Sequence, residues 1–130
     1  MAVSELCYLS AKELSVRIHA GQVSPVEVVQ AHLDRIDVTE GSLNSFITRP
    51  GEEALKAARV AEREIQSGDY RGPLHGIPVG LKDLYFVKGV RNTSGSKIYD
   101  DFVPEHDGTV AARYREAGAI LLGKLNLHQF

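Results

Sequence analysis

The chain has 130 residues, with 15 lysines and arginines against 17 aspartates and glutamates, a formal charge of −2. Hydrophobic residues make up 43% and charged residues 25%, which is the balance of an ordinary globular domain and excludes both a disordered chain and a basic nucleic-acid module. The single cysteine, Cys7, excludes a framework of internal disulfides and makes a reducing, cytoplasmic compartment the expectation. No run approaches the roughly 18 apolar residues of a membrane span, and Met1 to Glu5 form no basic leader, so neither a membrane association nor a signal peptide is expected.

The first half reads as helical. Ser10-Ala11-Lys12-Glu13 is a capping box, with Leu9 and Leu14 placed for a hydrophobic staple and Gly21 as a left-handed stop. Ser24, Pro25 and Glu27 repeat the signal, and Val28, Val29, Leu33 and Ile36 follow at helical spacing. Gly41 is the expected end. Leu43 to Thr48 reads as a short strand, broken by Pro50-Gly51. Glu52 to Gln66 is a third helix whose buried side is Ala54, Leu55, Ala58, Ala61 and Ile65. Glu52, Lys56, Arg59, Glu62, Arg63 and Glu64 are its expected solvent face, and Gly68 ends it.

The second half changes character. From Gly68 to Gly108, counting both ends, lie seven of the twelve glycines and three of the five prolines. Ile77 to Leu81 and Leu84 to Val87 are candidate strands, although Pro78 argues against a central position. Asp107 is the expected cap of a helix that runs to about Ala117, buries Val110, Ala111 and Tyr114, and stops at Gly118. The apolar run Ala119 to Leu122 reads as a buried parallel strand. Helix followed at once by buried strand makes the class α/β. A sheet seldom ends just after such a strand, so a chain closing at Phe130 reads as interrupted.

Several chemical signals are weighed against plainer readings. Gly118 to Lys124 has the spacing of a phosphate loop, but Leu125 stands where Ser or Thr would hold magnesium, and apolar strand formers fill the loop, so a core strand is the better reading. His19, His32, His75, His106 and His128 are scattered, which argues against a metal site. Cys7 reads as a small apolar residue. Asn92-Thr93-Ser94 matches a glycosylation acceptor only by chance in a chain without secretion. Lys82 follows an apolar segment at the carboxyl end of a candidate strand, where α/β folds collect reactive groups. Apolar surroundings there would favour the neutral amine, a general base, whereas a lysine at a strand end otherwise simply reaches water. Asp83 fits either a local cap or an ion partner.

A family resemblance rests on Gly72-Pro73-Leu74-His75-Gly76-Ile77-Pro78-Val79-Gly80-Leu81-Lys82-Asp83, then Lys88-Gly89-Val90, Thr93-Ser94-Gly95-Ser96 and Asp107-Gly108-Thr109-Val110-Ala111, and finally Ala117 to Asn126. In type and order these motifs resemble the amidase signature family, and the resemblance covers nearly the whole chain. It implies a mixed α/β sheet and hydrolysis of amides by a Ser–cis-Ser–Lys triad, with Lys82 as the catalytic lysine and no cofactor or metal. The family's glycine- and serine-rich signature, which carries both serines, has no counterpart in 1–130. Ser94 and Ser96 align with a structural loop. The expected organisation is therefore the N-terminal part of one such domain, with 1–70 a mainly helical segment and 71–130 a glycine-rich core segment that holds Lys82.

The activity expected of the whole polypeptide is hydrolysis of a carboxamide C–N bond, with the segment alone inactive. Its implied partners are a small-molecule amide and, in one form, another copy of the chain. An alternative within the family is the glutaminase subunit of a tRNA-dependent amidotransferase, which works with partner subunits. A third reading is a non-catalytic interaction module on the same scaffold.

Overall fold

The computed structural model describes residues 3–130; Met1 and Ala2, the first residues of the stretch in which a basic leader is not expected, lie outside them. A 3-10 helix over Val3–Tyr8 leads into α1 (Ala11–His19) and α2 (Pro25–Leu43). Both capping boxes form: Ser10 accepts from the Glu13 amide, Ser24 accepts from the Glu27 amide, and each glutamate returns to the amide of its serine. Leu9 and Leu14 pack in one cluster, as a staple requires. Helix α2 runs past Gly41 to Leu43 and ends on Asn44, which takes the left-handed conformation (φ 51°) and donates its N–H to the Glu40 carbonyl. Asparagine tolerates that conformation, so it supplies the stop expected of Gly41.

Strand β1 (Phe46–Thr48) is shorter than expected because α2 takes Leu43. Helix α3 (Gly51–Gln66), β2 (Pro78–Lys82), α4 (Thr109–Glu116) and β3 (Ile120–Leu125) complete the chain. The sheet order is β1-β3-β2, with β3 antiparallel to β1 and parallel to β2. The fold is thus mixed α/β, with a β2–α4–β3 crossover.

Alternation along β3 distributes its side chains between two clusters. Ile120 and Leu122 join Val29, Ile36, Ala54, Ala58 and Ala61, which ties α2 and α3 to the sheet. Leu121 instead packs with Leu81, Val87 and Ala111, which brings in α4. A third cluster joins Leu14 and Ile18 of α1 to Val28, Ala31 and Ile77.

Three further expectations need correction. Leu84 to Val87 is not a strand: the amides of Leu84 and Tyr85 both turn back onto the Lys82 carbonyl. Asp107 does not cap α4; Gly108 occupies the cap position, and the Asp107 carboxylate is taken by the Lys88 amide and the Arg115 guanidinium. Val110 is exposed, leaving Ala111 as the buried residue of α4. Among the described residues no helix is long and apolar enough to cross a membrane.

Candidate active site

Lys82 is the last residue of β2, paired across the ladder with Leu125. Its side chain is exposed, so these residues do not provide the apolar enclosure expected around the amine. An open groove of about 610 Å³ runs past Val79, Leu81 and Leu121 toward α3 and α4, but Lys82 does not line it.

The next residue behaves oppositely. Asp83 is fully buried and is both an ion partner and a local anchor. One carboxylate oxygen lies 3.2 Å from Lys124 Nζ. The other accepts from the Thr93 amide at 3.0 Å and from the Thr93 hydroxyl. Backbone bonds add to this: the Asp83 N–H donates to the Leu125 carbonyl, and the Asp83 carbonyl accepts from Ser94 N–H. Lys124 is also fully buried and donates to Asn92 Oδ1 at 2.8 Å. Burial pushes the Lys124 ammonium below the usual lysine range, and the Asp83 carboxylate opposes that push.

Lys124 therefore serves the interior and not a phosphate, and the segment before it is strand, as its apolar residues require. A one-residue irregularity opposite Val79 and Gly80 shifts the β3 register and pairs Lys124 with Leu81. Asn92 is buried on Lys124, which removes it from any role as a glycan acceptor in this fold. Ser94 and Ser96 hold the loop: Ser94 is left-handed (φ 52°), and the Ser96 hydroxyl caps a 3-10 turn over Lys97–Tyr99.

The histidines do not converge, and among the described residues no group of metal-ligating side chains forms. His75 is a satisfied core residue. Its Nδ1 accepts from the Arg71 amide at 3.0 Å, so Nε2 carries the proton and donates to Glu64 at 2.8 Å. Glu64, placed by periodicity on the solvent face, instead ties α3 to this loop through His75 and Arg71. Burial raises its pKa, and the hydrogen bonds from His75 and Arg71 outweigh that and hold it below the ordinary glutamate range. The Cys7 thiol donates to the Ala31 carbonyl, and burial pushes its pKa up, as suits a packing residue.

The buried cluster of Lys124, Asn92 and Thr93 around Asp83 is not anticipated from the residues alone. The available signal is a lysine inside an otherwise apolar strand: a buried lysine needs a buried counter-charge, and Asp83 follows the strand paired beside it.

The β2–α4–β3 crossover on a mixed sheet carries the motifs at the end of β2 and along β3 in one α/β unit. Residues 27–130 match the Amidase family, and the chain belongs to that family. It is 48% identical over 126 residues to a glutamyl-tRNA(Gln) amidotransferase subunit from Geobacter metallireducens, an alignment that covers 97% of this chain and 26% of that protein. The native peptide amidase of Stenotrophomonas maltophilia superposes with a TM-score of 0.84 at 37% identity, covering 91% of this chain and 24% of the other. A bacterial aryl acylamidase of the amidase signature enzymes superposes with a TM-score of 0.86 at 28% identity, covering 93% and 26%. The chain thus spans about a quarter of the length of these relatives.

Proposed function

We propose that residues 1–130 are the N-terminal part of one amidase domain and that the polypeptide carrying them hydrolyses a carboxamide through an acyl-enzyme, with Lys82 as proton acceptor. The observation that carries this reading is the placement of Lys82. It ends a parallel strand and the residue after it is anchored on all sides, while its exposed side chain leaves the apolar enclosure that a neutral amine needs to be supplied by parts of the polypeptide outside residues 1–130. A general base must present its lone pair from a backbone that does not move.

In the family's triad logic, Lys82 takes a proton through the bridging serine as the nucleophilic serine adds to the amide carbonyl. Backbone amides stabilise the oxyanion. Return of the proton to nitrogen lets the C–N bond break and an amine or ammonia leave. Water, deprotonated by the same relay, then adds to the acyl-enzyme and releases the carboxylic acid. Both serines belong to a motif that is not among residues 1–130, so the segment alone is expected to be inactive. Turnover by the segment that is abolished in Lys82→Ala would overturn that expectation.

The test is amide turnover by the full-length polypeptide. Lys82→Ala should lower kcat by about 10²-fold to 10⁴-fold, the usual contribution of a general base. A folded K82A variant within tenfold of the parent would remove Lys82 from the chemistry.

The 48% identity to an amidotransferase subunit supports a second reading, in which the amide is glutamine and the ammonia passes to a partner protein. Glutamine hydrolysis stimulated by partner subunits and charged tRNA would decide for it. Hydrolysis of peptide or aryl amides without such stimulation would decide against it.

A further inference from the structure

Lys82 and Asp83 leave the end of β2 toward opposite environments, the amine exposed and the carboxylate fully buried. Replacing a buried ion pair by apolar residues is often neutral or stabilising, so stability alone does not explain why Asp83 and Lys124 are both sealed inside. Their geometry suggests another use. Asp83 joins three pieces of chain at once: β2 through its own backbone, β3 through Lys124 and the Leu125 carbonyl, and the loop at 92–96 through Thr93 and Ser94. The loop adds its own ties. Gly95 N–H donates to Thr93 Oγ1 at 3.1 Å, and Phe130 N–H donates to the Ser94 carbonyl at 2.8 Å. A left-handed serine persists only where its surroundings over-determine it, and Ser94 is such a residue.

We propose that Asp83, clamped between Lys124 and Thr93, is a positioning residue for Lys82: it locks the end of β2 to the loop at 92–96 so that the exposed amine is presented from a fixed backbone. This inference rests on the reading of Lys82 as the proton acceptor. Thr93 is the informative handle, because its hydroxyl bridges Asp83 and Gly95 and can be removed without leaving a charge buried alone.

The experiment measures kcat and KM of the full-length polypeptide well below its melting temperature, corrected for the folded fraction, in Thr93→Val, Thr93→Ser, Asp83→Asn/Lys124→Met and Lys82→Ala. Displacement of a reacting group by an ångström costs up to about 10²-fold. T93V should therefore lower kcat about tenfold with KM within twofold, and T93S should return kcat to within about threefold of the parent. The D83N/K124M pair, which leaves no unpaired charge, should lower kcat at least as much as T93V, and it decides the matter if T93V does not fold. Folded variants with kcat within twofold of the parent, or an equal fall in T93V and T93S, would overturn the positioning role. Inactivity of K82A beside unchanged kcat in T93V would sink the positioning role alone. Full activity of K82A would sink the reading of Lys82 itself.

Discussion

Alanine at Gly118 imposes two separate costs on the protein, and Gly21 allows them to be told apart. Both glycines close a helix in the left-handed conformation, Gly21 at φ 74° and Gly118 at φ 77°. An L side chain there costs about 1–2 kcal/mol from the backbone alone. A methyl at Gly21 would meet nothing within 4 Å, so Gly21→Ala should lose only that amount. A methyl at Gly118 would stand 3.0 Å from His75 Cγ and 3.1 Å from Nε2, and nearer still to Cδ2. The ring cannot yield cheaply. It is buried, the Arg71 amide holds one nitrogen, and Glu64 holds the other. Moving it strips the buried ring nitrogens of their partners at about 1–3 kcal/mol, which brings the expected loss for Gly118→Ala to about 2–5 kcal/mol.

Urea denaturation of the polypeptide carrying this segment, followed by circular dichroism, measures both variants against the parent. The two should differ by about 2 kcal/mol, roughly thirtyfold in the folded-to-unfolded ratio. A double-mutant cycle sharpens the assay: with His75→Ala in place, Gly118→Ala should cost no more than Gly21→Ala, because the methyl then has room. Equal losses at Gly118 and Gly21 in the parent would refute the claim that the His75 ring is rigidly held.

How far the fold and site can be read in advance follows from the distance between partners along the chain. Both capping boxes close within three residues, so Ser10 with Glu13 and Ser24 with Glu27 can be placed from their order alone. Asp107 fails as a cap for the converse reason. Its carboxylate is claimed by Lys88, nineteen positions earlier, and by Arg115, eight positions later, and a bidentate guanidinium outcompetes a helix amide. Glu64 carries the periodicity of a solvent face, yet it points to His75 in a loop eleven residues on. The position of Lys82 at the end of a strand is legible through the motif around it, while the cluster that holds its neighbour is not. Asn92 and Lys124 are 32 residues apart and meet only because β3 pairs with β2 and shifts register on the way. Periodicity reports which side of an element faces inward, and it carries no information on which distant polar groups meet there.

Two further perturbations test local and electrostatic claims. Ser24→Ala removes the acceptor for the Glu27 amide at the start of α2 and should cost about 1 kcal/mol in urea denaturation; a loss below about 0.3 kcal/mol would mean that Pro25 at the first helical position already secures the start. Asp107→Asn tests the acid side of the stability curve. The hydrogen bond from Arg115 is the main cause holding the Asp107 carboxyl below its ordinary value of 3.8, and the Lys88 amide adds to it. The unfolded chain therefore binds this proton at higher pH than the folded one. The contribution of Asp107 is complete above the ordinary value and is lost as pH falls through the lower folded one. Arg115 is largely exposed, so solvent screening limits the pair to under about 1 kcal/mol. Urea midpoints between about pH 6 and pH 2 should show parent above variant at the upper end, with the gap closing below about pH 4. A gap that stays constant over that range would show that the carboxylate charge contributes nothing, because a charge-dependent gap must close as Asp107 takes up its proton.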